Sequence, residues 1–444
     1  MIGQLVLGLS LLVGLHEFGH FAFAKLFKIK VTKFYIFFDF LFPLPNVLNF
    51  SLLKKKVGDT EYGIGWFPLG GYVAIHGMVD ETQDADALAG PPQPDEFRSK
   101  PAWQRLLVML GGIIMNIITG VAIFTVLTFV YGEKYLPAKE AKYGIHVSQL
   151  GQKLGLKDGD KIVKINGRPY QNFDEVYDSD VILGSNAFYT VERDSQLLDV
   201  NIPADFMDQL SSAGKEAFVD ARWPFAVESV KSGRAAARAG LKAKDEILAV
   251  GTMPTPYFDR LQAALRLNAG KKTTLTVRRA GQQLTLPVTV DKDGTIGFAP
   301  EDKLNYRSRY YSLPGSVPRG ADKAFGIIGA QAKAVGKIIT GSASFTKSVG
   351  GPADIAEQYG GHWDWPHFWF LTGALSMVLA FMNLLPIPAL DGGHVVFLLY
   401  EMILRRKPSD AFLENAQRVG TFLILSLMLF VIVIKPILGK LGLL

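Results

Sequence analysis

Four stretches of this chain are too apolar to rest in water. They run over 1–27, 105–131, 366–390 and 420–438, and each can cross about 30 Å of hydrocarbon. Between the second and third, from 132 to 365, the sequence has ordinary soluble character. Backbone inside a bilayer must satisfy its own hydrogen bonds, so spans of this length are helices. The expected architecture is therefore a polytopic α-helical membrane protein with about four transmembrane helices and a large extramembrane insert. Mean hydropathy of +0.19 fits that mixture of greasy and soluble segments.

The first apolar stretch contains His16-Glu17-Phe18-Gly19-His20. On a helix, residues four apart share a face, so His16 and His20 can offer imidazole nitrogens to one Zn²⁺. Glu17, beside them, can take a proton from a water that the metal polarises. A bare H-E-x-x-H also occurs by chance in soluble helices. Here no charged residue precedes it and Phe21-Ala22-Phe23-Ala24 follows it, and an ionisable cluster in such a frame marks function. The segment lacks a basic leader and a small-x-small cleavage site, so it is expected to stay as the first transmembrane helix and not to be a signal peptide. The chain has no cysteine, which excludes disulfides, thiolate ligands and thiol nucleophiles. Its net charge of +6 reflects loop lysines; no basic stripe interleaved with aromatics is present, and nucleic acid is not an expected partner.

Lys25, Lys28, Lys30, Lys33 and Lys54-Lys55-Lys56 follow the first helix, and by the positive-inside rule that end is cytoplasmic. Phe34–Phe38 and Glu61–Val73 are β-prone but interrupted by glycine and proline, which suits short strands and not a span. They are expected either as a cytoplasmic hairpin or as a re-entrant sheet against the active site. Residues 80–100 form an acidic, proline-rich loop. The second helix carries Gly112, Asn116 and Gly120 at four-residue spacing, a small-residue face for close helix contact. Asn116 needs a partner in lipid, either across to another helix or at the catalytic site. Residues 320–340 place Phe325, Ile328, Ala332, Val335 and Ile339 at helical spacing, so this amphipathic helix would lie on the membrane or pack on the insert.

The third apolar stretch holds Asn383-Leu384-Leu385-Pro386-Ile387-Pro388-Ala389-Leu390-Asp391-Gly392-Gly393-His394. Its two prolines break the helix. A catalytic zinc held by two histidines takes a third protein ligand and leaves one position for water. Asp391 is the preferred candidate, being acidic, set in apolar sequence and placed on a bend that can aim it. His394 is the competitor.

Two segments of the insert repeat one pattern, Gly155-Leu156-Lys157-Asp158-Gly159-Asp160-Lys161-Ile162 and Gly240-Leu241-Lys242-Ala243-Lys244-Asp245-Glu246-Ile247. Both resemble PDZ domains, which bind extended peptides by strand addition. The second copy departs from the pattern, with Lys244 where the first has Gly159. Each copy is thus either a peptide-binding module or a closed spacer.

As a whole the chain resembles the site-2 protease family of zinc intramembrane metalloproteases, in its bacterial, sigma-E-regulating branch. H-E-F-G-H, the Gly63–Val73 segment, the tandem PDZ-like repeats and N-x-x-P-x-P-x-L-D-G carry the likeness. The resemblance implies that His16, His20 and Asp391 hold zinc, that Glu17 is the catalytic base, and that Asn383 binds the substrate backbone. It implies cleavage within the transmembrane segment of single-pass membrane proteins, such as a trimmed anti-sigma factor or a signal-peptide remnant. It also implies that the β-prone region pairs with unwound substrate, and that the PDZ-like domains screen out bulky chains. The expected location is the bacterial inner membrane, with the insert extracytoplasmic and the active site near the cytoplasmic face. A peptide-binding membrane scaffold with a dead metal site, or a metal transporter, would be the alternatives.

The organisation that follows begins with a first helix over 1–30 and a cytoplasmic-side re-entrant β region and loop over 31–102. A second helix over 103–131 leads to PDZ-like α+β domains at 137–217 and 218–305. A linker with the amphipathic helix covers 306–365, and further helices cover 366–400 and 416–438.

Overall fold

The computed structural model describes residues 1–41, 48–68, 70–78, 90–177, 187–203, 206, 218–341, 350–435 and 437. Much of the expected acidic loop, at 80–89, lies outside them, as do the end of the first PDZ-like segment at 207–217 and residue 438 of the last helix. The chain forms two compact units, Met1–Gly132 with Tyr310–Leu444, and Glu133–Arg309.

The first unit opens with α1 (Ile2–Leu26), helical through the whole apolar stretch. Four strands follow, β1 (Val31–Ile36), β2 (Ser51–Val57), β3 (Thr60–Gly65) and β4 (Tyr72–Ile75), in the sheet order β2-β3-β1-β4. β1 runs parallel to β3 and antiparallel to β4. β4 is buried along its length while β2 is almost wholly exposed, so the sheet turns its β4 end inward. Tyr35 and Tyr72 stack at 5.3 Å between ring centroids and anchor that end. The sheet is followed by α2 (Ala102–Tyr131), in which Val108, Gly112, Asn116, Gly120, Phe124 and Thr128 are all buried. Their four-residue spacing makes one continuous helix face, directed at the rest of the unit.

The second unit starts with β5 (Glu133–Tyr135) and closes with β17 (Arg307–Arg309), which pair antiparallel. Its first lobe comprises β6 (Ile145–Val147), α3 (Gln149–Lys153), β7 (Lys161–Ile165), β8 (Phe188–Arg193), β9 (Gln196–Asn201) and β10 (Val219–Ala221). Its second comprises β11 (Phe225–Val230), α4 (Ala235–Arg238), β12 (Glu246–Val250), β13 (Met253–Pro254), α5 (Phe258–Leu267), β14 (Lys272–Arg279), β15 (Gln282–Thr289) and β16 (Phe298–Asp302). β10 pairs with β6 as β16 pairs with β11. The first lobe thus takes a strand from beyond residue 217. Each lobe has its own apolar core, around Tyr189 and Phe218 in one and around Leu261 and Leu275 in the other.

The two lobes share the bonding of the turn that precedes β7 in one and β12 in the other. Arg193 donates to Asp160 Oδ1 at 2.7 Å and Oδ2 at 2.6 Å, and Arg279 does the same to Asp245 at 2.7 and 2.6 Å. The Lys157 and Lys242 amides each cap the same carboxylate at 2.8 Å. Gly159 (φ +96°) and Lys244 (φ +68°) occupy the equivalent left-handed position, so the second lobe keeps the turn at a residue that carries a side chain.

The chain returns to the first unit with α6 (Leu313–Ile339), longer than the helix expected over 320–340 and carrying Pro318 in its first turns. It packs on α2: Ala324 is buried with Phe124, and Lys323 donates to Thr128 Oγ1 at 3.1 Å. Within this unit its support is α2. α7 (Pro352–Gln358) and α8 (Trp365–Leu384) follow, then α9 (Asp391–Leu404) and α10 (Asp410–Leu429), which continues as a π-turn over Phe430–Ile434. The segment over 366–400, expected as a helix broken at its prolines, is therefore two helices. Pro386 and Pro388 lack amide hydrogens and hold the residues before them extended, so the helix stops at Leu384 and restarts at Asp391. Among the described residues, four helices are long and apolar enough to cross a membrane: α1, α2, α8 and the helix over Phe412–Ile434.

Candidate metal centre

The fold brings one turn of α1 against one face of α2. Gly112 makes this approach possible, because a β-carbon there would stand 2.5 Å from His20 Nε2 and 2.6 Å from His16 Nδ1. His16 and His20 project from α1 toward the broken segment between α8 and α9. The break is compact: the Ile387 amide donates to the Leu385 carbonyl at 2.7 Å and the Leu390 amide to Ile387 at 3.0 Å. Gly393 abuts these carbonyls, a β-carbon there lying 2.6 Å from the Ile387 oxygen. Asp391 is then the first residue of α9, where unpaired amides favour an anion.

His16 Nε2, His20 Nε2 and Asp391 Oδ2 form a nearly equilateral triangle. The two nitrogens are 3.2 Å apart, and Asp391 Oδ2 is 3.3 Å from His16 and 3.4 Å from His20. Ligands about 2.0–2.1 Å from a tetrahedral zinc are separated by about 3.3–3.4 Å, so the three atoms match one face of that tetrahedron. Asp391 Oδ2 is buried and has no hydrogen-bond partner, as expected of an oxygen shaped for a cation. His20 Nδ1 meets the Val108 carbonyl at 2.8 Å. That contact puts the ring proton on Nδ1 and leaves the Nε2 lone pair facing the triangle. The donor set fits zinc.

The other site residues converge on the same place. Asn383, in the last turn of α8, places its amide 3.4 Å from His16 Nε2. Glu17 is half-buried and lines a cavity of about 340 Å³ with His16, His20, Asp391 and His394. His394 thus faces the site but stands outside the triangle. Tyr72 and Val73 of β4 form one wall of the cavity, and Gln417 and Thr421 of α10 form another. Gly71 lets the sheet reach α1, since a β-carbon there would touch Glu17 Cγ at 3.4 Å and the Tyr35 carbonyl at 2.6 Å.

Two contributors had no legible signal in the sequence. Val108 acts through its carbonyl, which any residue possesses. Gln417 accepts a hydrogen bond from the Ala389 amide at 3.2 Å and so holds the loop that aims Asp391. Ala389 itself has φ +81°, unusual for a residue with a side chain, and the neighbouring helix sustains it. Among the described residues one further cluster has metal-ligating types, His146, Asp158 and Asp259. Arg222 pairs with its carboxylates at 3.0 Å to Asp259 and 3.6 Å to Asp158, and Arg260 lies 3.9 and 4.0 Å from the same two groups, so two carboxylates already face two guanidinium groups there.

Comparison with known proteins shows the family. The model of peptidase family M50 matches residues 4–427. The chain belongs to peptidase family M50. A Neisseria meningitidis serogroup A protein, named as a zinc metalloprotease, is 30% identical over 97% of this chain and 96% of its own length. The regulator of sigma-E protease RseP of Escherichia coli K12 is 26% identical, with 96% of each chain covered. The RseP protein of Salmonella typhimurium has the same identity and coverage. As a member of M50 this chain is a zinc metalloprotease of the site-2 type, and zinc is its cofactor.

Proposed function

We propose that this chain is an intramembrane endopeptidase. Zinc is held by His16, His20 and Asp391, Glu17 serves as general base, and the substrates are transmembrane segments of single-pass membrane proteins. The observation that carries the reading is the donor triangle, set beside helices apolar enough to cross a bilayer and opening on a cavity walled by β4. Zinc, when bound, acts as a Lewis acid on water and on the scissile carbonyl. Glu17 takes the proton released as water adds to the carbonyl carbon and passes it to the departing nitrogen as the C–N bond breaks. Asn383 donates to the substrate backbone beside His16. A helical substrate hides its amides in its own hydrogen bonds and must unwind first. The outer strand β4 offers the freed backbone a partner by strand addition, which offsets the cost of exposing it in lipid.

The role we infer is in sigma-E regulation at the bacterial inner membrane, with a trimmed anti-sigma factor or signal-peptide remnants as substrates; the likeness to regulators of sigma-E protease supports it. The repeated lobes of the insert act as PDZ-like domains outside the cytoplasm, filtering substrates by size. Lysines after α1 and the Arg405-Arg406-Lys407 run after α9 support a site near the cytoplasmic side.

Two substitutions in the full chain test the chemistry. Glu17→Gln keeps zinc and loses cleavage of a transmembrane substrate, because the amide cannot accept the proton. Asp391→Ala loses zinc. Wild-type turnover by Glu17→Gln, or full zinc occupancy in Asp391→Ala with loss in His394→Ala, would overturn these assignments. The filter is tested by comparing one substrate with and without a bulky outer domain; equal cleavage of both refutes it.

A further inference from the structure

The two histidines of α1 are supported differently. His20 Nδ1 meets a backbone carbonyl, that of Val108. His16 Nδ1 instead faces the side-chain amide of Asn116, 3.1 Å from its nitrogen. Val108, Gly112 and Asn116 lie at four-residue spacing on one face of α2, opposite His20 and His16 on α1. One helix face therefore contacts the outer edge of both rings.

Asn116 is fully buried, and its oxygen Oδ1 has no hydrogen-bond partner. The oxygen and nitrogen of a carboxamide are nearly the same size, so the bonding network decides which of them faces a neighbour. A histidine that ligates through Nε2 carries its proton on Nδ1. An amide nitrogen opposite that proton would set donor against donor. We propose that Asn116 presents Oδ1 to the Nδ1–H of His16, as the Val108 carbonyl does for His20. Asn116 is then a positioning residue: it fixes the tautomer and ring orientation of His16 and keeps Nε2 turned to the metal. The inference rests on His16 being a zinc ligand.

A residue that only tied helices together would act otherwise. The bond that ties Asn116 to α8 runs from Ser376 Oγ to its backbone carbonyl at 2.8 Å, and a side-chain change leaves it in place. The test uses the detergent-solubilised full chain and measures zinc affinity by competition with a chelating dye. Asn116→Leu is expected to weaken zinc binding roughly 10- to 100-fold, the usual effect of removing the partner of a ligating histidine. Asn116→Asp, whose carboxylate can only accept, is expected to retain wild-type affinity. Wild-type affinity in Asn116→Leu overturns the proposal. So does a loss in Asn116→Asp, since it would show that the amide donates; this second variant decides alone if the first does not fold. His16→Ala separates the levels. Full zinc retention there removes the ligand assignment itself, whereas loss there with retention in Asn116→Leu removes only the role of Asn116.

Discussion

Replacing Gly112 by alanine is the sharpest probe of how α1 and α2 build the centre. The added methyl would lie 2.5 Å from His20 Nε2 and 2.6 Å from His16 Nδ1. Ordinary contacts are about 3.5 Å or more, so roughly 1 Å must be recovered by movement. The rings cannot yield cheaply, because His20 is tied to Val108 and His16 abuts Asn116. Backing α2 away would open the contact at Gly19 and Gly111, where the two helices touch through backbone. Overpacking of this kind costs about 1–3 kcal/mol of stability. A misplacement of about 1 Å at a reacting centre lowers turnover about 100-fold. Gly120→Ala, in the same helix, is the control. Its methyl would overlap Met377 Sδ and lie 2.8 Å from Cγ, but both atoms belong to one flexible thioether side chain that can move aside, unlike two tethered imidazoles. Zinc content and cleavage of a transmembrane substrate should fall in Gly112→Ala and hold in Gly120→Ala. A Gly112→Ala protein with wild-type zinc content and turnover would refute the packing argument.

Two further expectations concern the insert. Arg279→Ala strands Asp245, which is wholly buried, and should destabilise the second lobe by about 3 kcal/mol in denaturant unfolding followed through Trp223. Burial opposes the charge on Asp245, but bonds from Arg279 and the Lys242 amide outweigh it and hold the carboxyl below its ordinary range. The folded group therefore titrates lower than the unfolded one. Its contribution is complete above the ordinary carboxylate range and is lost as pH falls through the folded value. The acid limb of the stability curve should flatten in Arg279→Ala; an unchanged limb would contradict the pairing. Lys244→Gly should stabilise the same lobe by about 0.5–1 kcal/mol, since glycine removes the left-handed penalty at φ +68°. A loss of stability would show that the Lys244 side chain matters more than its backbone.

Local periodicity determined much of this protein from sequence alone. Four-residue spacing puts His16 and His20 on one face wherever α1 lies, because the helical repeat is a property of the backbone. Long uncharged runs declare the spans, and Pro386 and Pro388 announce a break, since neither signal needs a distant partner. The equivalence of Asp160 and Asp245 was equally plain, being set by short turns. Tertiary structure decided the rest. Asp391 reaches the histidine pair, and His394 stays at the cavity wall, because the first turn of α9 is aimed by a loop that Gln417 holds from α10. Residues 389 and 417 meet only when two helices pack, and no local pattern records that. The support of His20 comes from a carbonyl, which carries no residue signature. Asn116 was visible as a polar group in an apolar helix. Only the register of α2 against α1 shows that it faces His16, and that register depends on how closely Gly19, Gly111 and Gly112 allow two backbones to approach.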